Sequence, residues 1–184
     1  MTDSSGTARV APLMYVSPSQ INFVIPPGSA AGTAGFAIAN GSSTTATIQS
    51  VAPTLFSMSG DGRGVAAANA VAVAAGSQVQ SPVPVFQCAA ASGCLATPIP
   101  LSANATVYLI LYGTGIRNRS SLGGVTANIG GTNVPVLYAG PQPSFEGLDQ
   151  VNLAIPLSLM GSGEVNIVLT VDGQTANVVT VDIQ

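Results

Sequence analysis

The sequence has no lysine, no histidine and no tryptophan, and it has only four arginines and seven acidic residues among 184. The charged fraction is 6%, against about 25% for an average soluble domain. Four arginines and a net charge of −3 cannot neutralise a phosphate backbone, which excludes nucleic acid as a partner. Without histidine or lysine, the chain also lacks the usual general bases and activated nucleophiles. We therefore expect no catalytic residue, no metal site, no cofactor and no enzymatic activity.

Hydrophobic residues make up 47% of the chain, and they alternate with polar residues or form short runs. Glycine or proline interrupts these runs about every 8–12 residues, a spacing typical of β-sandwiches and barrels. Helix signals are almost absent, so the sequence predicts an all-β fold. Two-residue hairpin turns need positive φ, and three dipeptides predict them: Asp172-Gly173, Gly130-Gly131 and Asn40-Gly41.

The most informative feature is an internal repeat. Each copy has a Tyr-x-x-Pro segment, then a Gln-x-Asn strand and a closing proline. The motif positions are Tyr15, Pro18, Gln20, Asn22 and Pro26 in the first copy, and Tyr138, Pro141, Gln150, Asn152 and Pro156 in the second. Strand alternation places the two amides on one side and the apolar side chains on the other. We expect the amides to bond the backbone of the preceding loop and fix its turn, with ligand binding as the alternative.

Two predicted strands, residues 106–112 and 125–129, precede the second copy, whereas the first copy has no such strands before it. The sequence therefore predicts two tandem immunoglobulin-like β-sandwich domains, the first lacking its opening strands. We place the incomplete domain at 1–60, a β-rich middle segment at 61–102 and the complete domain at 103–184. An incomplete sandwich exposes an apolar groove and free strand edges. We expect the middle segment to pack on the first domain, or strands from another molecule to complete it.

Cys88 and Cys94 enclose five small residues, a spacing that suits a disulfide at a loop tip. Two free thiols, or a redox or metal pair, are the alternatives. A disulfide needs an oxidising compartment, which predicts an extracellular or cell-surface protein. The first residues contain no signal peptide, so we expect either a processed fragment or a signal upstream. No apolar run is long enough for a membrane-spanning helix, so we expect no membrane insertion.

Several blocks of sequence resemble one protein family. They are residues 15–26 (Tyr-Val-Ser-Pro-Ser-Gln-Ile-Asn-Phe-Val-Ile-Pro) and, around the second copy, residues 111–117, 137–140 and 147–152. These blocks resemble the Solibacter-type C-terminal domain, a module at the ends of large secreted proteins of Acidobacteria and similar bacteria. That family is related in appearance to IPT/TIG-type immunoglobulin-like domains. The resemblance covers nearly the whole chain and implies extracellular immunoglobulin-like β-sandwiches without known catalytic residues.

A few charged residues are candidates for local chemistry. Glu146 and Asp149 share the longer loop of the second copy, where they could ligate calcium or, more simply, cap the turn. Asp61 begins an Asp-Gly-Arg-Gly segment that predicts a turn. Arg117 and Arg119 are predicted to bond carbonyl groups or the loop that carries the two acids.

Two functional hypotheses follow. The favoured one is a non-enzymatic extracellular structural protein, a self-associating subunit of a cell-surface assembly or filament in which strands of one subunit complete another. The scarcity of charge supports it, because few charges bring little repulsion and little desolvation cost on association. The alternative is an adhesion or ligand-binding accessory module of a larger secreted bacterial protein. The expected partner is a further copy of the chain, in a homo-oligomer or polymer, with glycans and calcium left open.

Overall fold

The computed structural model describes residues 1–39, 41–90 and 93–184, and the fold is all-β, as the sequence predicts. The chain forms two compact units. We call Met1–Ser50 the N-terminal unit and Val51–Gln184 the C-terminal unit. The strands of the N-terminal unit are β1 (Leu13–Val16), β2 (Ile21–Phe23), β3 (Gly32–Ala37) and β4 (Ser43–Ile48).

The remaining strands belong to the C-terminal unit. They are β5 (Thr54–Leu55), β6 (Ala68–Ala74), β7 (Gln80–Val83), β8 (Phe86–Ala89), β9 (Gly93–Ala96), β10 (Ala105–Thr114), β11 (Val125–Ile129), β12 (Thr132–Val134), β13 (Val136–Pro141), β14 (Asp149–Ile155), β15 (Gly163–Val171), β16 (Gln174–Thr175) and β17 (Val179–Ile183). Two single 3-10 turns, Leu122–Gly124 and Leu157–Leu159, lie between strands of this unit.

Two antiparallel sheets build most of the C-terminal unit. The first has the order β13-β14-β10-β6-β7, and β5 pairs with the far end of β10. The second has the order β12-β11-β15-β16, and β17 also pairs with β15. β8 and β9 form a separate hairpin. Neighbouring strands of the chain are thus joined mostly by short antiparallel connections, which agrees with the frequent Gly and Pro punctuation.

The hydrophobic core of the C-terminal unit takes side chains from both sheets. Alternate residues of the long strands face this core, as the period of two requires. The buried residues of four such strands are Val107, Leu109 and Leu111 of β10, Val151, Leu153 and Ile155 of β14, Ile167, Leu169 and Val171 of β15, and Val179, Val181 and Ile183 of β17. Burying an aliphatic side chain of this size stabilises by about 1.5–3 kcal/mol, so the core holds the two sheets together.

The middle segment lies in the C-terminal unit, and this corrects the expectation that residues 61–102 pack on the first domain. β6 pairs with β10, placing Ala70 opposite Leu109, and β7 pairs with β6. β10 has two edges, and β14 occupies only one of them, so β6 fills the other. Its small side chains Ala68 and Ala70 are buried there. The boundary between the two units therefore falls after Ser50 rather than after residue 60.

The N-terminal unit contains two hairpins, β1–β2 and β3–β4. The chain start adds a short bridge to β3, in which Thr2 and Gly35 exchange two backbone hydrogen bonds of 2.8 Å. Of the described residues of this unit, only Asp3, Pro26 and Ala34 are buried. The unit therefore has almost no hydrophobic core of its own.

Hairpin turns occur at two of the three predicted dipeptides. Asp172 and Gly173 have φ of 47° and 81°, and Gly130 and Gly131 have φ of 56° and 89°. These positive values are what a two-residue turn requires, so both predictions are confirmed. The third prediction falls on Asn40, which lies outside the described residues.

Candidate functional site

The two copies of the repeat fold into the same bulged hairpin. In the first copy, β1 and β2 pair Tyr15 with Asn22, and in the second, β13 and β14 pair Tyr138 with Asn152. The register shifts at the same point in both, just before the tyrosine. Such a β-bulge bends its strand and increases the local twist. The sequence repeat is therefore a structural repeat.

The hydrogen bonds that close the two hairpins also match. The Val24 N–H donates to the Pro12 carbonyl over 2.9 Å, and the equivalent Ala154 N–H donates to the Pro135 carbonyl over 3.1 Å. The closing prolines then begin similar turns. The Pro26 carbonyl accepts from the Ser29 N–H, and the Pro156 carbonyl accepts from the Leu159 N–H. Each closing proline thus follows the second strand of its hairpin and starts the next turn, where its missing N–H is no disadvantage.

The amides of the motif bond each other, which corrects the predicted bond to the loop backbone. The Gln20 Nε2 group donates to Asn22 Oδ1 over 2.8 Å, and the Gln150 Nε2 group donates to Asn152 Oδ1 over 2.7 Å. Residues two apart on a strand lie on the same face, so this contact is short and local. The amides stabilise the polar face of the strand.

Other groups hold the turns that the amides were expected to fix. In the first copy, which carries Pro18 within its turn, the Ser17 hydroxyl accepts from the Gln20 N–H over 3.0 Å. In the second copy, the Tyr138 hydroxyl donates to the Pro141 carbonyl over 2.6 Å. The turns therefore differ in their internal bonds although the hairpins they join are alike.

The outer edge of the second strand distinguishes the two copies. In the second copy, β10 pairs along the outer edge of β14 and places Leu109 opposite Leu153 and Leu111 opposite Val151. In the first copy, β2 pairs with β1 alone among the described residues. An unpaired edge presents a row of free N–H and C=O groups that can accept another strand.

The side chains of the second strand are buried in the copy that has a third strand and partly exposed in the copy that lacks one among the described residues. Phe23 and Ile25 are 38% and 40% exposed, whereas their equivalents Leu153 and Ile155 are 0% and 4% exposed. Phe23 packs against Phe36 of β3, with ring centroids 5.4 Å apart, and this contact covers only part of it. The face of β2 that corresponds to a core face is thus left partly in solvent.

Other large hydrophobic residues of the N-terminal unit are exposed as well. Those with more than half of their surface in solvent are Val10, Leu13, Met14, Tyr15, Val16 and Ile38. No residue between 10 and 60 carries a charge. Charged side chains are the usual protection of a free edge, and β2 and its neighbours lack them.

A buried carboxylate distinguishes the second copy in a further way. Asp149 is fully buried, and its Oδ2 atom accepts from the N–H groups of Ile116 (2.7 Å) and Arg117 (3.1 Å). Its Oδ1 atom accepts from Arg117 Nε over 2.7 Å. The loop after β10 is therefore locked to the start of β14. In the first copy the equivalent residue is the exposed Ser19.

These contacts decide the local predictions about charge. Arg117 also donates to the Leu148 carbonyl and Arg119 donates to the Ala139 carbonyl, so both arginines bond carbonyls as predicted. Glu146 and Asp149 were the two candidate calcium ligands. Both oxygens of Asp149 already accept N–H groups, so this carboxylate is not free to bind calcium. Among residues 1–39, 41–90 and 93–184, no group of three or more acidic or cysteine side chains could hold a metal ion.

Two predicted features of the loops are confirmed. Asp61 Oδ1 accepts from the Arg63 N–H over 2.9 Å, which closes the predicted turn. The pKa of Asp61 is lowered, first because the Ser59 hydroxyl donates to its carboxylate. Cys88 and Cys94 form a disulfide across the β8–β9 hairpin, where they lie directly opposite each other.

Sequence reasoning missed the role of Asp3. Its buried carboxylate accepts the N–H groups of Ser5 (3.0 Å), Thr7 (3.1 Å) and Ala30 (3.0 Å), and it pairs with Arg9. The pKa of Asp3 lies well below its ordinary value of 3.8, chiefly because the Ser5 hydroxyl donates to the carboxylate. The Asp-x-Ser-x-Thr spacing was the available signal, since such acids often bond the backbone two residues on.

Comparisons with known proteins leave the family open. No protein-family model, no curated protein and no solved structure matches the chain. The resemblance to the Solibacter-type C-terminal domain therefore stays a prediction. In the part of the chain that the structure describes, no helix has the length and apolar character to cross a membrane.

Proposed function

We propose that the protein is a non-enzymatic structural subunit of an extracellular or cell-surface assembly, and that it associates with further copies of itself by adding a strand to the first repeat. In this proposal both repeats belong to immunoglobulin-like sandwiches of the Solibacter-type C-terminal kind. The observation that carries it is the edge of β2, which is unpaired among the described residues although the equivalent edge of β14 is covered by β10. The disulfide supports an oxidising compartment.

The energetics favour association at this edge. The second copy shows how much apolar surface the same hairpin buries once a third strand lies beside it. Burial of apolar area contributes about 25 cal/mol per Å², and added strands also pair free backbone groups. The uncharged stretch from residue 10 to residue 60 removes the repulsion that would oppose contact between copies.

The test is sedimentation velocity of the purified chain over a wide concentration range, with negative-stain imaging of the concentrated sample. We expect concentration-dependent association of the wild-type chain. Ile21→Lys places a charge on the free edge and should raise the concentration needed for association at least about tenfold, as edge lysines oppose strand addition. The matched control is Leu137→Lys, at an exposed apolar position of β13, which should associate like wild type. A wild-type chain that stays monomeric at every concentration would contradict the proposal.

One observation favours the second candidate, an adhesion or ligand-binding accessory module. Phe145 is 63% exposed at the tip of the long loop of the second copy. The loop is ordered around it, because Gln142 Oε1 accepts the N–H groups of Ser144 and Phe145 over 2.7 and 3.0 Å. A glycan screen with and without calcium, comparing wild type with Phe145→Ala, tests this candidate. Saturable binding that the substitution abolishes would support it.

A further inference from the structure

We propose that the strand that completes the first repeat is β2 of a second copy, paired antiparallel to β2 with Phe23 opposite Phe23 of that copy. This inference rests on the proposed function and identifies the strand that carries it. The contact is the same patch on both molecules, related by a two-fold axis.

The backbone bonding of the hairpin determines which groups are free. In an antiparallel strand, successive residues direct their N–H and C=O groups to opposite neighbours. The Gln20 carbonyl and the Val24 N–H both bond the β1 side of the hairpin, over 2.8 and 2.9 Å. The alternating residues Ile21, Phe23 and Ile25 therefore direct their backbone groups outward, toward the free edge.

These three outward residues are symmetric about Phe23. If Phe23 lies opposite Phe23 of the second copy, Ile21 of each copy lies opposite Ile25 of the other. Every outward N–H and C=O then finds a partner, and every apolar side chain meets another apolar side chain on the same face. Pro18 and Pro26 lie at the two ends of this segment and limit the pairing to the residues between them.

The second copy of the repeat shows which kind of strand the edge accepts. β10 gives β14 three buried apolar residues at alternate positions, Val107, Leu109 and Leu111. β2 carries Ile21 and Phe23 at the same spacing, and Ile25 continues it. Among the described residues, β2 thus combines an edge without a partner strand with the alternation that β10 supplies.

Three other edge strands, β4, β7 and β1, are less suited to this role. β4 presents Thr44, Ala46 and Ile48 on one face, a more polar set. β7 contains Pro82, which cannot donate to a ladder, and β1 is bulged next to Tyr15. A two-fold contact also needs surfaces that do not repel their own copy, and residues 10–60 carry no charge.

Single cysteines test the register. Cys88 and Cys94 are joined in the disulfide, so an introduced cysteine is the one free thiol of the chain. In the proposed pairing, Phe23→Cys places two thiols opposite each other, within the Cα separation of about 4.4–6.8 Å that a disulfide needs. Ile21→Cys places its two copies four residues apart along the strand pair, about 14 Å, which is too far.

The experiment is mild oxidation of each variant at a concentration where the wild type associates, followed by non-reducing electrophoresis. We expect at least about tenfold more covalent dimer from Phe23→Cys than from Ile21→Cys. The double variant Ile21→Cys/Ile25→Cys keeps Phe23 and should also cross-link efficiently. Val24→Cys, directly after β2 and facing away from Phe23 and Ile25 by strand alternation, is a further control and should cross-link poorly. Circular dichroism checks that each variant is folded like wild type.

The outcomes separate this inference from the proposed function. Association of the wild type with equal cross-linking at positions 21 and 23 would overturn the β2–β2 register and leave self-association standing. Absence of association would overturn both. Because a two-fold contact closes on itself, the expected first species is a dimer; sedimentation that shows open-ended polymers without a dimer would overturn the two-fold contact alone.

Discussion

The first repeat and the second repeat have the same hairpin and opposite surroundings. β1–β2 and β13–β14 share their register, their bulge and the Gln–Asn side-chain bond. Yet Leu153 is fully buried and Phe23 is 38% exposed. The hairpin is therefore formed by its own local residues, since it appears with and without a third strand. Its burial depends on a third strand, and among the described residues only the second copy is paired with one, β10.

The comparison also explains a difference in sequence between the copies. Asp149 lies where the second strand of the hairpin meets the loop after β10, and its carboxylate satisfies three N–H groups there. Among the described residues β2 has no paired strand equivalent to β10, and the residue equivalent to Asp149 is the uncharged Ser19. A buried carboxylate is tolerated only where its partners are supplied.

The largest expected difference in stability between the two copies comes from substituting Asp149 and its equivalent, Ser19. Asp149→Ala leaves the N–H groups of Ile116 and Arg117 and the Arg117 guanidinium without their acceptor. It should destabilise the C-terminal unit by about 3–5 kcal/mol, because each buried group left unsatisfied costs about 1–3 kcal/mol. Ser19→Ala is the matched control and should change stability by less than about 0.5 kcal/mol. Urea unfolding followed by circular dichroism measures both. Equal effects of the two substitutions would mean that the carboxylate does not hold the loop.

The next prediction compares the two equivalent apolar positions. Leu153→Ala creates a cavity in the core and should cost about 3 kcal/mol. Phe23→Ala in the monomer removes chiefly the contact with Phe36 and should cost about 1 kcal/mol. Hydrogen exchange, followed separately for the two units, assigns each loss to its unit. A cost at Phe23 as large as that at Leu153 would show that the face of β2 is covered in the isolated chain.

Reduction of the disulfide should affect one unit only. Cys88 and Cys94 close a loop of seven residues in the C-terminal unit, a link worth about 2 kcal/mol in the chain-entropy model. The variant Cys88→Ser/Cys94→Ser should unfold at lower urea concentration than the oxidised wild type. The exchange protection of the N-terminal unit should not change, and a change there would show that the two units are coupled energetically.

The last prediction concerns Asp3 and the dependence of the stability of the N-terminal unit on pH. Because the pKa of Asp3 is lowered in the folded chain, its contribution to stability is present above the ordinary value of 3.8 and is lost as the pH falls below it. Acid should therefore weaken the N-terminal unit, where this carboxylate bonds the backbone of Ser5, Thr7 and Ala30. Asp3→Asn should flatten that dependence. Hydrogen exchange at several pH values measures it, and an unchanged acid response of the variant would contradict the assignment.

Local features of the fold could be predicted from the sequence. Asp172-Gly173 and Gly130-Gly131 form turns because the required φ depends on the residues themselves. The disulfide and the turn at Asp61 likewise involve residues close in the sequence. The partners of Gln20 and Gln150 were predicted incorrectly, although they too are local, because one face of a strand offers an amide both a backbone and a side-chain acceptor.

The sequence alone determined the all-β class, the positions of the turns and the existence of two equivalent hairpins, since alternation, turn residues and the repeat are properties of short segments. Only the tertiary structure decided which strands lie side by side. It showed that β6 completes the sheet beside β10 and that β2, among the described residues, pairs with β1 alone. The physical reason is that strand pairing joins residues far apart in sequence, and alternation specifies the face of a strand without specifying its neighbour.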